Sequence, residues 1–271
     1  MAVSDSGASH RVMTSPDGNT WTLRELPTSA ASQSWRSVTY GVVNGTGIFV
    51  AVSESGTGNR VMTSFIGLPT RTNSITLNPS FFSTNEADSL TSLSLLSRIN
   101  TSGNMINYNS NSGNLMRLDL DSMNNRIRTS RANATNCINN EWVSRTSAAD
   151  NTWNEVCWSP ELSLFVAVSS TGTGNRVMTS PDGITWTSRT SAADNSWNGV
   201  CWSPELALFV AVASTGTGNR VMTSPDGITW TSRTSAADND WNSVCWSPEL
   251  SLFVAVSITG TGNRVMTSPN G

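Results

Sequence analysis

Residues 171–186 read Thr171-Gly172-Thr173-Gly174-Asn175-Arg176-Val177-Met178-Thr179-Ser180-Pro181-Asp182-Gly183-Ile184-Thr185-Trp186, and residues 215–230 repeat that string without a change. Cys157, Cys201 and Cys245 keep the same step of 44 residues. A fixed period of this length marks one supersecondary unit copied in tandem. Inside the string, β-branched residues are bracketed by Gly, Asn, Pro and Asp. That is the pattern of short strands between tight turns.

Reading outward from Trp197 gives a whole unit. Its strands are predicted at Trp197–Trp202, Leu208–Val212, Arg220–Ser224 and Ile228–Arg233. Between them lie Ser203-Pro204-Glu205, the Gly-rich turn Ser214–Asn219, and Pro225-Asp226-Gly227. Thr234–Asn239 leads into the next copy. The unit is therefore a four-stranded antiparallel meander with no segment of helix length. Such a meander is too small to bury both faces alone, so neighbouring units must stack. The fold class expected is all-β, a β-propeller of four-stranded blades.

Units are placed at 1–26, 35–73, 103–146, 153–190, 197–234 and 241–271. That makes about six, and a five- or seven-bladed ring is also compatible. The unit at 103–146 rests on a shift of 50 residues. This shift lays Ile106, Tyr108, Leu115, Met116 and Leu118 over Val156, Trp158, Phe165, Val166 and Val168. It also lays Asn125-Arg126-Ile127 over Asn175-Arg176-Val177. Residues 74–100 break the repeat. There Ser83 and Glu86 form a capping-box pattern ahead of Leu90, Leu93, Leu96 and Ile99, which predicts a short amphipathic helix.

Ser180-Pro181-Asp182-Gly183-Ile184-Thr185-Trp186, its copy at 224–230, and Ser15-Pro16-Asp17-Gly18-Asn19-Thr20-Trp21 resemble the Asp-box of sialidase-type (BNR-like) propellers. The version here is one residue shorter than the usual box. The resemblance implies that Asp17, Asp182 and Asp226 tie down a hairpin between third and fourth strands. It implies also that Trp21, Trp186 and Trp230 pack between blades. The wider unit is similar to repeats of phage-encoded and bacterial propellers. Fold is what such a resemblance predicts, since propellers host many unrelated activities.

Composition narrows the function. All 16 basic residues are arginine, and the net charge is -3, so no basic field for nucleic acid exists. The absence of lysine removes Schiff-base chemistry and a lysine-rich membrane patch. No apolar run is long enough to span a bilayer, and Met1–Asp5 shows no signal-peptide pattern. Of the four cysteines, Cys157, Cys201 and Cys245 recur at one strand position where an earlier unit has Thr39, with neither disulfide nor zinc spacing, so no metal or cofactor is expected.

Three functions compete for these residues. A sialidase-like hydrolase, by family resemblance, needs an arginine triad, a Tyr nucleophile with a Glu partner, and an acid. Arg60, Arg176, Arg220 and Arg264 instead occupy one place in every unit, while Tyr40 and Tyr108 stand where other units have Trp. The single histidine, His10, replaces the Asn of the Gly-Asn-Arg turn. No catalytic residue is therefore assigned. The second function is multivalent binding of a carbohydrate or cell-surface protein. Its candidate ligand-binding set is Asp194, Asn195, Trp197 and Arg220, recurring as Asp238, Asn239, Trp241 and Arg264. Those same residues also fit ordinary turn chemistry and blade packing. The third function is a structural one beside other virion or scaffold proteins. Recognition or assembly at an extracellular or virion surface is the combined expectation.

Overall fold

The computed structural model describes residues 1–6, 11–15, 17–66 and 142–271, together with the backbone of four strands between residues 109 and 131. The chain divides into two compact units, one of residues 1–66 with 140–271 and one of residues 67–139.

The first unit holds five antiparallel sheets, and the described residues contain no helix. Sheet I has Ala2–Val3, Val12–Thr14 and Thr22–Arg24. Sheet II has Trp35–Val43, Thr46–Ser53, Val61–Ile66 and Val143–Arg145. Sheet III has Trp153–Ser159, Leu164–Ser169, Val177–Ser180 and Thr187–Arg189. Sheet IV repeats it with Trp197–Ser203, Leu208–Ala213, Val221–Ser224 and Thr231–Arg233. Sheet V has Trp241–Ser247, Leu252–Ser257 and Val265–Ser268. These all-β meanders are propeller blades: each passes from its outer strand back to the innermost strand of the next.

Alternation within one strand builds the blade-to-blade contacts. Along Leu208–Ala213, Phe209, Ala211 and Ala213 face the preceding sheet, while Val210 and Val212 face the following one. Both faces are apolar because both are covered. Val166, Val168 and Val177 of sheet III accordingly pack on Trp197, Val200, Phe209, Ala211, Met222 and Trp230 of sheet IV. Ile48, Val50, Val52 and Val61 meet the equivalent face of sheet III. Val210, Val212 and Val221 meet Trp241, Val244, Phe253 and Ala255 of sheet V. One valine face and one aromatic face thus recur at every junction.

The ends of the series differ. Val256 and Val265 of sheet V are 47% and 60% exposed, whereas Val212 and Val221 of sheet IV are 0% and 7%. At the other end Trp21 is 43% exposed, against 9% for Trp186.

Sheet II departs from the expected unit boundaries. Its fourth strand is Val143–Arg145, paired Val143↔Thr63 and Arg145↔Val61. Residues 67–139 are therefore inserted between its third and fourth strands, and residues 143–145 do not close a separate blade at 103–146. The physical reason lies in Trp142 and Arg145. Trp142 is 3% exposed and joins a core with Val12, Trp35, Ala51 and Met62. Arg145 Nε donates to Thr63 Oγ1 at 2.8 Å, the bond its counterpart Arg189 makes to Thr179.

In the second unit, Met116–Asp121 pairs antiparallel with Arg126–Arg131, and Asn109–Ser110 with Gly113–Asn114. Ile127 pairs with Leu120, whereas the repeat register Val177↔Val168 would place it opposite Leu118. The 50-residue alignment matched residue types; the pairing is two residues out. The helix expected within 74–100 lies outside the described residues.

Candidate functional site

The loop face carries the predicted binding residues, and its architecture starts at the Gly-rich turn. Gly216 sits at φ +106°, and a Cβ there would run into the side chains of Asn195 and Asn219. Only glycine lets the turn fold back this tightly. Arg220 then reaches across its own turn, with Nε donating to Gly216 O at 2.8 Å and Nη1 to Ser214 O at 2.6 Å. Arg60 and Arg176 do the same to Gly56 and Glu54, and to Gly172 and Ser170. Arg264 donates to Gly260 O at 2.7 Å. Each guanidinium is thereby engaged by loop carbonyls, as a turn stabiliser.

The Asp-Asn pair before each first strand is a two-sided clasp. Asp194 Oδ1 accepts the backbone N–H of Gly174 in the preceding blade at 2.7 Å and lies 3.7 Å from Arg176 Nε. Asn195 Nδ2 donates the other way, to Asn219 O at 2.8 Å. Asp238 and Asn239 repeat this toward Gly218 at 2.7 Å and Asn263 O at 2.7 Å. In sheet V's approach loop, Asp240 adds an ion pair to Arg220 at 3.0 Å. The same clasp occurs at Asp150 and Asn151, which accept from Gly58 at 2.6 Å and donate to Asn175 O at 2.9 Å. Asp150 lies outside the set expected from the sequence, although Ser147-Ala148-Ala149-Asp150-Asn151 carries the same signal as residues 191–195.

Trp197 and Trp241 are not at the surface. They are 0% and 1% exposed, and their Nε1 groups donate to Ala193 O and Ala237 O at 3.0 and 2.9 Å. What remains accessible is a carboxylate row. Asp150, Asp194 and Asp238 side chains are 45%, 43% and 40% exposed. In each, Oδ1 is held by a glycine N–H, and among the described residues Oδ2 makes no hydrogen bond. The exposed Thr57, Thr173 and Thr217 belong to the same turns.

The Ser-Pro-Asp-Gly turns lie between third and fourth strands. Asp182 Oδ1 accepts from Ile184 N and Thr185 N at 2.8 and 2.7 Å and from Ser180 Oγ at 3.0 Å. Trp186 Nε1 donates to Gly183 O at 3.1 Å, and the residues around Asp226 and Trp230 match. Partial burial pushes the Asp182 and Asp226 carboxyls up, but those donors outweigh it and hold both below the ordinary carboxylate range. At Asp17 the backbone N–H groups of Thr20 and Asn19 bring the value down to about 2.

Near the innermost strands, Glu155 is pushed up by burial while accepting from Ser37 Oγ at 2.6 Å. Burial also pushes up the thiols of Cys157 and Cys201. No cluster of three or more metal-ligating side chains occurs among the described residues, and no helix there is long and apolar enough to cross a membrane. Tyr40 packs on Phe49 with ring centroids 5.3 Å apart. Tyr108 and His10 lie outside the described residues. A groove of about 280 Å³ opens between sheets IV and V, lined by Val210, Val212, Val221, Phe253, Ala255 and Met266.

No protein-family model and no curated protein sequence matches the chain. Among solved structures, it is similar to the β-propeller domain of Cps50 (Swd1) from Myceliophteria thermophila, at 10% identity and a TM-score of 0.44. That alignment covers 96% of this chain and 63% of the other. A chain of a nidogen/laminin complex aligns at 10% identity and TM-score 0.39, over 88% of this chain and 63% of that one. A Trypanosoma rangeli sialidase mutant displaying trans-sialidase activity aligns at 11% identity and TM-score 0.29, over 97% and 50%. The chain thus spans about 63% of the length of the first two.

Proposed function

We propose that the chain is a non-enzymatic recognition and assembly module that presents one loop surface several times over to a repetitive, hydroxyl-rich partner such as a carbohydrate. The observation carrying this reading is the carboxylate row. Asp150, Asp194 and Asp238 are each pinned through Oδ1 by a glycine N–H at 2.6, 2.7 and 2.7 Å, with Oδ2 turned to no partner among the described residues. A carboxylate oxygen accepts hydrogen bonds and cannot donate them, so its natural ligands are hydroxyl and amide donors. Pre-fixed acceptors lose little rotamer freedom on binding. Equal presentation on successive blades lets weak sites add through effective concentration.

The binding set is thereby narrower than Asp194, Asn195, Trp197, Arg220 and their copies. Trp197 and Trp241 support blade packing, and Asn195, Asn239, Arg220 and Arg264 support the turns that hold the aspartates in place. Placement at an extracellular or virion surface belongs to the same reading, because a multivalent array suits a surface rich in repeated ligands.

A glycan-array comparison of the wild-type chain with an Asp150→Asn/Asp194→Asn/Asp238→Asn variant tests the proposal. Asparagine keeps the Oδ1 acceptor for glycine and removes the charge. Glycan binding that drops about tenfold or more in the variant, with the melting temperature unchanged, supports it. A blank array overturns it in favour of a purely structural virion or scaffold part, which the clasps and buried tryptophans support, and binding indifferent to the substitution overturns the carboxylate row as the site. Release of sialic acid from a glycoconjugate would instead support the sialidase-like alternative.

A further inference from the structure

We infer that the turn face of sheets III and IV, the end opposite the Gly-rich loops, is a docking surface for another protein whose contact segment combines apolar and cationic side chains.

In an antiparallel meander, the turns between first and second strands and those between third and fourth strands emerge at one end. In sheets III and IV that end exposes large apolar side chains. Leu162 and Leu206, in the first-to-second turns, are 41% and 40% exposed, and Ile184 and Ile228, in the third-to-fourth turns, are 40% and 47%. Both sheets have a neighbour on either side, so this is not the exposure of a series end.

The four residues are also held in place. The N–H groups of Leu162 and Leu206 donate to Ser159 Oγ and Ser203 Oγ at 3.2 Å. Those of Ile184 and Ile228 donate to Asp182 Oδ1 and Asp226 Oδ1 at 2.8 Å. The turns interlock across the blade junction. A Cβ on Gly227 would lie 2.9 Å from Leu164 Cδ2, so the turn bearing Ile228 rests on the strand that follows Leu162.

Charge selects the occupant. The chain has no lysine, and every arginine of the first unit lies toward the loop face. One arginine follows each Gly-rich turn. Arg189 and Arg233 pair with Val177 and Val221 at that same end, as Arg24 and Arg145 pair with Val12 and Val61. Arg11 and Arg36 adjoin Val12 and Trp35, also at the loop-face ends of their strands. The turn face instead carries Asp17, Glu161, Asp182, Glu205 and Asp226. Glu161 accepts from Trp202 Nε1, and Glu205 from Trp246 Nε1, each through Oε2 at 2.6 Å. Each carboxylate is thus fixed beside its leucine, and its Oε1 makes no hydrogen bond among the described residues.

Leucine, isoleucine and carboxylates of one sign are complementary to apolar side chains interspersed with guanidinium or ammonium groups. Anionic lipid and nucleic acid are repelled by the same charge, which favours a protein. The surface lies at the opposite end of the blades from the carboxylate row, so the two can be occupied at once.

The test uses the full chain and a fluorescently labelled peptide of alternating leucine and arginine, read by anisotropy. Saturable binding is expected, weakened about tenfold or more in a Leu162→Ser/Leu206→Ser variant. Glu161→Gln/Glu205→Gln keeps an acceptor for each indole and weakens binding about threefold to tenfold, a difference that vanishes in 1 M salt. Glu25→Gln/Glu54→Gln makes the same charge change at the loop face and leaves binding unchanged. Circular dichroism confirms that these exposed substitutions leave the fold intact. No saturable binding at about 1 mM, or an equal loss from the loop-face variant, overturns the inference. Equal binding of a leucine–glutamate peptide overturns it too. Co-sedimentation of the chain with phosphatidylglycerol vesicles would assign the face to a membrane, and self-association lost in the leucine variant would assign it to a second copy. Either result overturns the protein-partner reading.

Discussion

Asp194 Oδ1 accepts the backbone N–H of Gly174 at 2.7 Å, joining the approach loop of sheet IV to the Gly-rich turn of sheet III. The bond crosses a blade junction that also carries apolar packing and the bonds of Asn154 Nδ2 to Trp197 O at 2.9 Å and Trp202 Nε1 to Glu161 Oε2 at 2.6 Å. Asp194→Ala leaves that N–H to water and lowers stability by about 1 kcal/mol, whereas Asp194→Asn stays within a few tenths. Urea denaturation midpoints of the two variants separate these outcomes. Equal midpoints would show that the clasp adds nothing to cohesion.

Two tryptophans in equivalent turns give a sharper contrast. Trp186 is 9% exposed because sheet II covers it, and Trp21 is 43% exposed at the end of the series. Trp186→Ala is expected to cost about 3–5 kcal/mol, the range for deleting a core aromatic. Trp21→Ala, losing far less buried surface, should cost about 1 kcal/mol. Because repeat arrays can unfold in stages, the comparison is best read from hydrogen exchange in the flanking strands. Similar protection losses for both variants would contradict the packing described here.

Acid should loosen the third-to-fourth strand turns. Asp17, Asp182 and Asp226 all have depressed folded-state values, with Asp17 brought from the ordinary 3.8 to about 2. A depressed carboxyl stabilises fully above its unfolded value and loses that contribution as pH falls through the folded one. The loss at Asp17 is therefore expected between about pH 4 and pH 2. Carboxyl chemical shifts followed through an acid titration check this, and an Asp17 midpoint near 4 would refute it.

Glu155 behaves in the opposite sense. Its folded value is raised by burial against sheet II, so its stabilising form is the protonated one. Stability should decline as pH rises from the ordinary glutamate value through the raised one. Glu155→Gln keeps an acceptor for Ser37 and removes the buried charge. It should raise the melting temperature at pH 7 and flatten its pH dependence above pH 4.

The recurring cysteines grade in accessibility along the series. Cys245 is exposed, while Cys157 and Cys201 are half-buried with thiols pushed up by burial. Thiolate is the reactive form. Peptide mapping after brief alkylation of the native protein should find Cys245 modified before either of the others. Simultaneous labelling would mean that the III–IV junction covering Cys157 and the IV–V junction covering Cys201 both open readily.

Much of this was readable from the residues. The 44-residue step, the four strands of the unit at Trp197 and the positions of its turns all follow from Gly, Pro, Asn and Asp punctuation. The fourth strand of sheet II was not, because Val143-Ser144-Arg145 gains its partner from Val61–Thr63, about 80 residues earlier. Local pattern cannot report a pairing that distant. At the loop face the sequence named Asp194 and Trp197 together, yet one is a half-exposed acceptor and the other a core side chain. What separates them is the valine face of the preceding blade, and that cover exists only once the blades are stacked.

The sameness of the junctions also bears on how such a protein changes over generations. If residues 197–240 were excised, Val166, Val168 and Val177 would meet Trp241, Val244 and Phe253, residue types like those they touch now. Asp194 and Asn195 would stay beside the turn at Gly174, and Asn195 would find Asn263 in the place of Asn219. Unequal recombination between near-identical gene segments can thus lengthen or shorten the series in whole steps without rewriting a contact. Valency becomes a heritable count, adjustable independently of the chemistry of any single blade.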